Sequence, residues 1–511
     1  MLTAWIALGL TVETMIFVAA VFAWLRSGGN TLAEAFAGAV VTTFIFLSLV
    51  HQADLAAGSA LIGMILETAT LLAVLAVYRR WLPQVVGSLA SIKAMLFREG
   101  LTGWMILAAW TAMAGLATAQ WFGAGPLATH PSPPEAALAA HPGGLYALVE
   151  AGPLPVLNSP ALFFHTTRFG LGANACGFGL LAYMALGCCT YALARRYAWS
   201  PMALTAALMV LSMPRLVFLG LRPSPELISC AAIAYSLVLI YRLIEQHRSA
   251  DLRFLLLTLL FSLHSDVVSI VLVPVMALFL LVVMIRRHGW LLCREMVADR
   301  PLVTVGVLLP ALVLAQIPAG FLNLTHGHPL FGADVRVDEV GIVAAAANLV
   351  RYLLASIDIT EPVRQMLAWM AGADLDRLLK ESYNTLILPL FRHGGVQAPF
   401  EPILSGRGQM GFGPFAALLV LPAMGHALMR GPRRLKALCV AWAGYLYLAA
   451  LVVSWTPERI AVLTPLLATC SFVVAFSLPP WRLRRRGMRL LQVDFALLLS
   501  WSIVRGGWWP G

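Results

Sequence analysis

The chain has 511 residues, 60% of them hydrophobic and 12% charged, with a formal net charge of +11. A mean hydropathy of +0.83 excludes a soluble globular domain. The basic excess is not a nucleic-acid signature, because the arginines and lysines sit in short connectors between apolar runs, where they orient spans and meet anionic lipid head groups.

Apolar stretches of about twenty residues recur along the whole chain, each enough to cross a ~30 Å hydrocarbon core as a helix. About fourteen such segments can be read. The predicted fold class is therefore all-α and polytopic. The first three segments fall at about 3–25, 32–50 and 55–78. The first has no basic n-region and no small-residue cleavage pair near its end, so it is expected to stay as a helix. Arg26 inside and His51–Asp54 outside put the N-terminus outside. The connector 79–100, with Arg79, Arg80, Lys93 and Arg98, reads as a helix lying on the inner surface.

A fourth span at about 101–122 leads to a first outer loop, 123–170. Its prolines and glycines forbid one continuous helix, and short helices are predicted over Pro134–Ala140 and Leu145–Ala151. Spans at about 171–194, 201–219 and 225–244 follow. The segment 254–285 is interrupted by His264, Ser265 and Asp266 and reads as a hairpin of a short outward and a longer return helix. A span at about 302–322 opens the second outer loop, 323–410. There, Val340–Ile357 and Glu361–Leu390 carry helical spacing and read as helices resting on the outer leaflet. Spans at about 411–428, 437–455, 459–478 and 490–505 close the chain.

Every arginine-rich connector, from Arg79/Arg80 through Arg195/Arg196, Arg242/Arg248/Arg253, Arg286/Arg287 and Arg430/Arg433 to Arg484/Arg485/Arg486, is expected in the cytoplasm. The two large loops then share the other side. Neither carries any of the seven cysteines, and no pair has zinc-site spacing, so the thiols read as small buried hydrophobes.

Positive-inside placement leaves some charges unexplained: His130, Glu135, His141, Glu150, His165 and Arg168 in the first loop, then Arg215, Arg222 and Glu226. His264 and Asp266 in the hairpin, Glu401 and Arg407, and Glu458 and Arg459 complete the set. Each is either a solvated or snorkelling charge or part of a site on the outer face, since ionisable groups at membrane depth are costly. A carboxylate or histidine near the surface can act as general base on a hydroxyl, and guanidinium matches phosphate oxygens without losing its charge. Glu135 is the candidate base, with His141 and Glu150 as alternatives. Arg222, Arg407 and Arg459 are the candidate phosphate ligands. Glu226, His264 and Asp266 form a further polar membrane site.

Standard motifs add little. There is no Walker-type phosphate loop, no HExxH and no GxSxG. Gly406, Gly408 and Gly411 lack a preceding strand, and Asp374 and Asp376 lie in an amphipathic helical pattern. No metal site is predicted, and a divalent metal has no motif support.

Four stretches carry a resemblance. They are EAALAAHPGGLYALVEAGPLP with NSPALFFHTTRFGLGANACG, YALARRYAWSPMALTAALMVLSMPRLVFLGLRPSPELISCAAIAYSLVLIYRL, GRGQMGFGPFAALLVLPAM, and SWTPERIAVLTPLLATCSFVVAF. In this order, from about residue 101 to 480, the chain resembles the GT-C superfamily of polytopic glycosyltransferases that use polyprenyl-phosphate sugars. The resemblance implies a bacterial inner-membrane protein with catalytic loops on the periplasmic side. It implies a lipid-linked sugar donor and inverting transfer to a periplasmic acceptor; no cofactor is expected, and a divalent metal stays open without motif support. It divides the chain into 1–100, three helices and a connector; 101–480, the GT-C-like core; and 481–511, a basic loop and last helix. Glu135 is the best match to the family's catalytic acid, which is usually Asp, and Ala139-Ala140-His141 stands where an aromatic–histidine pair is expected. His264-Ser265-Asp266 stands where relatives often carry lysine. Two other readings stay open: a non-catalytic GT-C-like scaffold subunit with membrane-protein partners, and a transporter or lipid flippase.

Overall fold

In the computed structural model the described residues are all but 1, 60, 100, 123–143, 170, 172–174, 266–268, 286–290, 292–293, 296–297, 331–340, 358–368, 370–374, 393–395, 397–398, 402–410, 415, 454, 478–484 and 509–511. Among them there is no strand. Glu135, His141, Asp266 and Arg407 lie outside the described residues.

Four long helices open the chain: α1 (Leu2–Ser27), α2 (Leu32–Ala57), α3 (Leu61–Glu99) and α4 (Leu101–Phe122). The entry to α2 is set by a capping box: Glu34 N–H donates to Thr31 Oγ1, and Thr31 N–H donates back to the Glu34 carboxylate. The span and connector expected at 55–78 and 79–100 form one continuous helix, α3, which carries Pro83 within it.

Two short helices, α5 (Gly144–Ala151) and α6 (Asn158–Thr167), follow, and α5 matches the short helix expected at 145–151. Next come α7 (Cys176–Ala194), the pair α8 (Ser200–Leu211) and α9 (Pro214–Gly220), and α10 (Pro225–Gln246). The expected span 201–219 is thus broken. Its halves meet at 69°, where Pro214 cannot continue the helix ladder of α8. The hairpin expected at 254–285 is present as α11 (Ser249–Leu263) and α12 (Ser269–Ile285). Then α13 (Pro301–Leu314) and α14 (Ile317–Thr325) meet at 42°, with Gln316 at φ 55 between them.

From the second loop, α15 (Ile342–Ala355) buries Ala344, Ala347, Asn348, Arg351 and Tyr352 against α16 (Arg433–Val452) and leaves Ile342 and Leu353 exposed. Pro457–Val462 is a 3-10 turn leading into α17 (Leu463–Cys470), and α18 (Arg485–Trp508) ends the described chain.

Among the described residues, five helices are long and apolar enough to cross a membrane, or up to seven if each bent pair is one span. Shorter apolar helices add Leu61–Val77, Gly103–Thr118, Ile342–Ala355, Ala416–Arg430, Arg459–Cys470 and Leu490–Ile503. The chain is a multi-pass membrane protein. One hydrophobic core runs from Phe17 to Ile503, so α1 and α2 share it with the later helices. Within it, α10 packs on α7, α11 and α2.

Basic and acidic partners collect at one end. Arg196 pairs with Glu34 at 2.8 Å, Arg242 with Asp251 at 3.0 Å, and Arg248 donates to the Gly28 carbonyl at 3.1 Å. The connectors that positive-inside reasoning assigns to one side therefore touch one another.

Candidate functional site

The opposite end of α2 carries a second kind of charge cluster. His51 and Asp54 stand one turn apart on α2 and are fully buried. Gly58, at φ 64, ends the helix in the left-handed conformation and turns the chain back into α3. Gly63, in the first turn of α3, donates its N–H to Asp54 Oδ1 at 2.6 Å. Glu67 follows one turn later on α3. His165 and Arg168 come from α6 and its C-terminal cap, and α6 packs on α2.

These side chains converge on one carboxylate oxygen. Glu67 Oε1 lies 2.8 Å from His51 Nε2 and 2.7 Å from His165 Nδ1, and the two ring nitrogens are 3.3 Å apart. His51 Nδ1 lies 3.0 Å from Asp54 Oδ2. Arg168 donates to Glu67 Oε2, and its other terminal nitrogen is 3.8 Å from Asp54 Oδ2. His165 Nε2 is 3.5 Å from Thr14 Oγ1 of α1. Glu13, half-buried on α1, is close enough to interact with the charges of Glu67, Arg168 and His51. Among the described residues, His51, Glu67 and His165 are the group whose donor atoms could hold a metal ion.

A neutral network lies beside it. Asn158, the first residue of α6, accepts from Gln52 at 2.7 Å and Gln316 at 2.9 Å. It donates to the carbonyls of Phe261 at 2.9 Å and Leu314 at 3.2 Å, and its own carbonyl accepts from Ser48 at 2.9 Å. One amide thus ties α2, α6, α11 and the α13–α14 bend together.

A third constellation gathers around Arg215 of α9. Its backbone N–H donates to the Gly411 carbonyl at 2.9 Å, and its guanidinium bonds Glu226 at 3.0 and 2.8 Å and Thr464 at 3.0 Å. Arg222 stands in the turn between α9 and α10, half-buried, with its guanidinium 4.0 Å from the centre of the Phe218 ring. Burial draws its pKa below the ordinary value. A Cβ at Gly179 would stand 2.3 Å from the Arg222 carbonyl, so only glycine lets α7 approach this turn.

The sequence candidates therefore divide. Glu226 is the ion-pair partner of Arg215 in the first turn of α10. Arg459 lies half-buried in the 3-10 turn before Thr464. The chain segments of Arg222 and Arg459 thus meet through Arg215, and Gly411 joins them four residues after Arg407. His264 caps the end of α11, buried, and its carbonyl accepts from the Asn158 N–H at 3.1 Å. Glu150 is exposed on α5.

His165 and Arg168 stood out in the sequence as unexplained loop charges, but their partners did not. Glu13 and Glu67 lie inside segments read as apolar spans, and Asp54 lies in the outer turn read between the second and third. The available signal was the cost of a carboxylate in a membrane helix: Glu13 and Glu67 are the acids of the first and third apolar runs.

A cavity of about 770 Å³ lies toward the other end of the bundle, lined mainly by apolar side chains including Met15, Phe22, Phe36, Trp110 and Leu211. Glu34, Arg195 and Arg196 form part of its wall. No protein-family model, curated protein or solved structure matches the chain.

Proposed function

We propose that the chain is a GT-C-like membrane glycosyltransferase with about fourteen spans and two large periplasmic loops, working in a bacterial inner membrane. It moves a sugar from a polyprenyl-phosphate donor to a periplasmic acceptor. The observation that supports this reading is the junction at Arg215. Three segments distant in sequence meet there, and each carries or adjoins one of the arginines Arg222, Arg407 and Arg459. Arg222 lies between two helices and Arg459 in the turn that opens another, and these are the positions proposed to meet the lipid phosphate.

In this reading Glu135 accepts the proton of the acceptor hydroxyl. The freed oxygen attacks the anomeric carbon from the face opposite the leaving group. The bond from that carbon to the phosphate oxygen breaks, and polyprenyl phosphate leaves with the electron pair and its added charge. Guanidinium groups stabilise that charge while remaining ionised.

The test uses the full chain in proteoliposomes with radiolabelled polyprenyl-phosphate sugars. Wild type should bind polyprenyl monophosphate by native mass spectrometry and release it from a sugar donor. Glu135→Gln should keep binding and lose transfer by roughly 10²–10⁴-fold, the usual contribution of a general base. Arg222→Lys and Arg459→Lys should bind more weakly, because lysine keeps the charge and loses the fork. Wild type that neither binds polyprenyl phosphate nor cleaves any donor defeats the reading.

A second reading, a transporter, has one observation behind it. His51, Asp54, Glu67, His165 and Arg168 form a buried ionisable chain between membrane helices, as proton and ion paths do. Net proton or ion flux into liposomes without donor cleavage would favour it.

A further inference from the structure

We infer that His51, Glu67 and His165 form a three-ligand site for a divalent transition metal of the zinc class, with Asp54 and Arg168 as its outer support. This inference is independent of glycosyl transfer.

The protons of the two rings carry the argument. Thr14 donates its hydroxyl proton to the Leu10 carbonyl at 2.9 Å, so toward His165 Nε2 its oxygen can only accept. With its proton on Nε2, facing that oxygen at 3.5 Å, His165 keeps a lone pair on Nδ1. Asp54 Oδ2 lies 3.0 Å from His51 Nδ1, and Asp54 is a carboxylate held by the Gly63 N–H. That places the His51 proton on Nδ1 and leaves a lone pair on Nε2. The two lone pairs and the negative Glu67 Oε1 then lie within 2.7–3.3 Å of one another. Three electron-rich atoms at this separation repel unless a cation sits among them.

A metal fits that place. For bonds of about 2.1 Å, all three distances are met about 1.2 Å to either side of the plane of the three atoms. The charge count agrees. With neutral imidazoles, the carboxylates of Asp54 and Glu67 face a single Arg168, leaving a net negative charge for a cation to offset. Asp54 holding the remote nitrogen of a ligand histidine is the usual carboxylate–histidine–metal support. Arg168 holds the second oxygen of Glu67 and so fixes the carboxylate as a one-oxygen ligand. Two imidazoles and one carboxylate suit zinc, iron or cobalt rather than magnesium or calcium. Three protein ligands leave a coordination position open, as in zinc sites that act on a bound water or phosphate oxygen.

The competing arrangement has both histidines protonated, each donating to Glu67 Oε1, with no metal. The full chain, purified in detergent and stripped with a chelator, separates the two. Cobalt(II) titration of wild type should reach about one ion per chain with the visible absorption of a low-coordinate nitrogen–oxygen site, and zinc should displace it. His165→Ala and Glu67→Gln should abolish that absorption. Asp54→Asn should weaken binding by about 10–100-fold, and His426→Gln, remote from the site, should leave it unchanged. Folding is followed by the thermal transition in tryptophan fluorescence. If the ligand variants do not fold, wild type and Asp54→Asn decide the matter. Folded wild type without a stoichiometric cobalt spectrum, or unchanged binding in Asp54→Asn, overturns the inference.

Discussion

Asp54 and Gly63 are built against each other across the α2–α3 turn. The Gly63 N–H donates to Asp54 Oδ1 at 2.6 Å, and a Cβ at Gly63 would stand 2.1 Å from Asp54 Oδ2. The carboxylate thus occupies the N-terminal turn of α3, where free backbone donors and the helix dipole favour a negative charge. Gly63→Ala should push the carboxylate out of line with His51. We expect a loss of about 1–3 kcal/mol, typical of overpacking at a tight contact, read as a lowered thermal midpoint in detergent. Asp54→Asn keeps an acceptor for Gly63 and should melt closer to wild type. An unchanged midpoint in Gly63→Ala would show that the turn opens freely.

Asn158 has more hydrogen-bond partners than any replacement could satisfy. Asn158→Leu leaves the donors of Gln52 and Gln316 and the carbonyls of Phe261 and Leu314 without it. Interhelical polar bonds in membranes are each worth about 0.6–1.7 kcal/mol, so the variant should lose on the order of 2 kcal/mol or more. Asn158→Asp should fare worse, since a carboxylate would face two carbonyl oxygens in a buried setting. Thermal midpoints in the order wild type, Asn158→Leu, Asn158→Asp check this. The reverse order for the two variants would mean that packing, not polarity, governs the position.

Much of the helical layout was legible, because the cost of exposing backbone and charge to lipid writes itself into composition. The hairpin at His264 and Ser265 shows this: a polar triplet inside an apolar run marked where α11 ends. The 69° bend after Leu211 was less visible, though Pro214 stood there, because apolar length alone does not report direction. Pro83 shows the converse, a proline that does not interrupt its helix. The charge cluster was half legible. His165 and Arg168 stood out, yet Glu67 is 98 residues from His165, and no local spacing rule joins such positions. What brings them together is the packing of both α3 and α6 on α2, which is a property of the fold and not of any one segment.

The pair of Arg242 and Asp251 sits at the other end, with side chains 5% and 8% exposed and 3.0 Å apart. Removing one partner leaves the other charge buried and unmatched, a loss of about 3–5 kcal/mol. Asp251→Leu and Arg242→Met should each destabilise strongly, and the double variant should recover much of the loss. A double variant no better than the sum of the singles would mean that each side chain acts through other partners.

The two ends of α2 fix the sidedness of the whole molecule. Glu34 pairs with Arg196 in the first turn, whereas Asp54 belongs to the histidine cluster. Twenty residues of helix separate them, about 30 Å, the thickness of a hydrocarbon core. The arginine end should therefore be cytoplasmic and the histidine end periplasmic. Glu150 and Arg195 are exposed reporters for the two sides. Cys176, Cys189, Cys230, Cys439 and Cys470 are buried, and Cys188 and Cys293 are changed to alanine to lower the background. In intact spheroplasts a membrane-impermeant maleimide should label Glu150→Cys and should reach Arg195→Cys only after permeabilisation. The opposite pattern would invert the topology. It would put the His51–Glu67–His165 centre on the cytoplasmic side and remove periplasmic transfer from the proposed function.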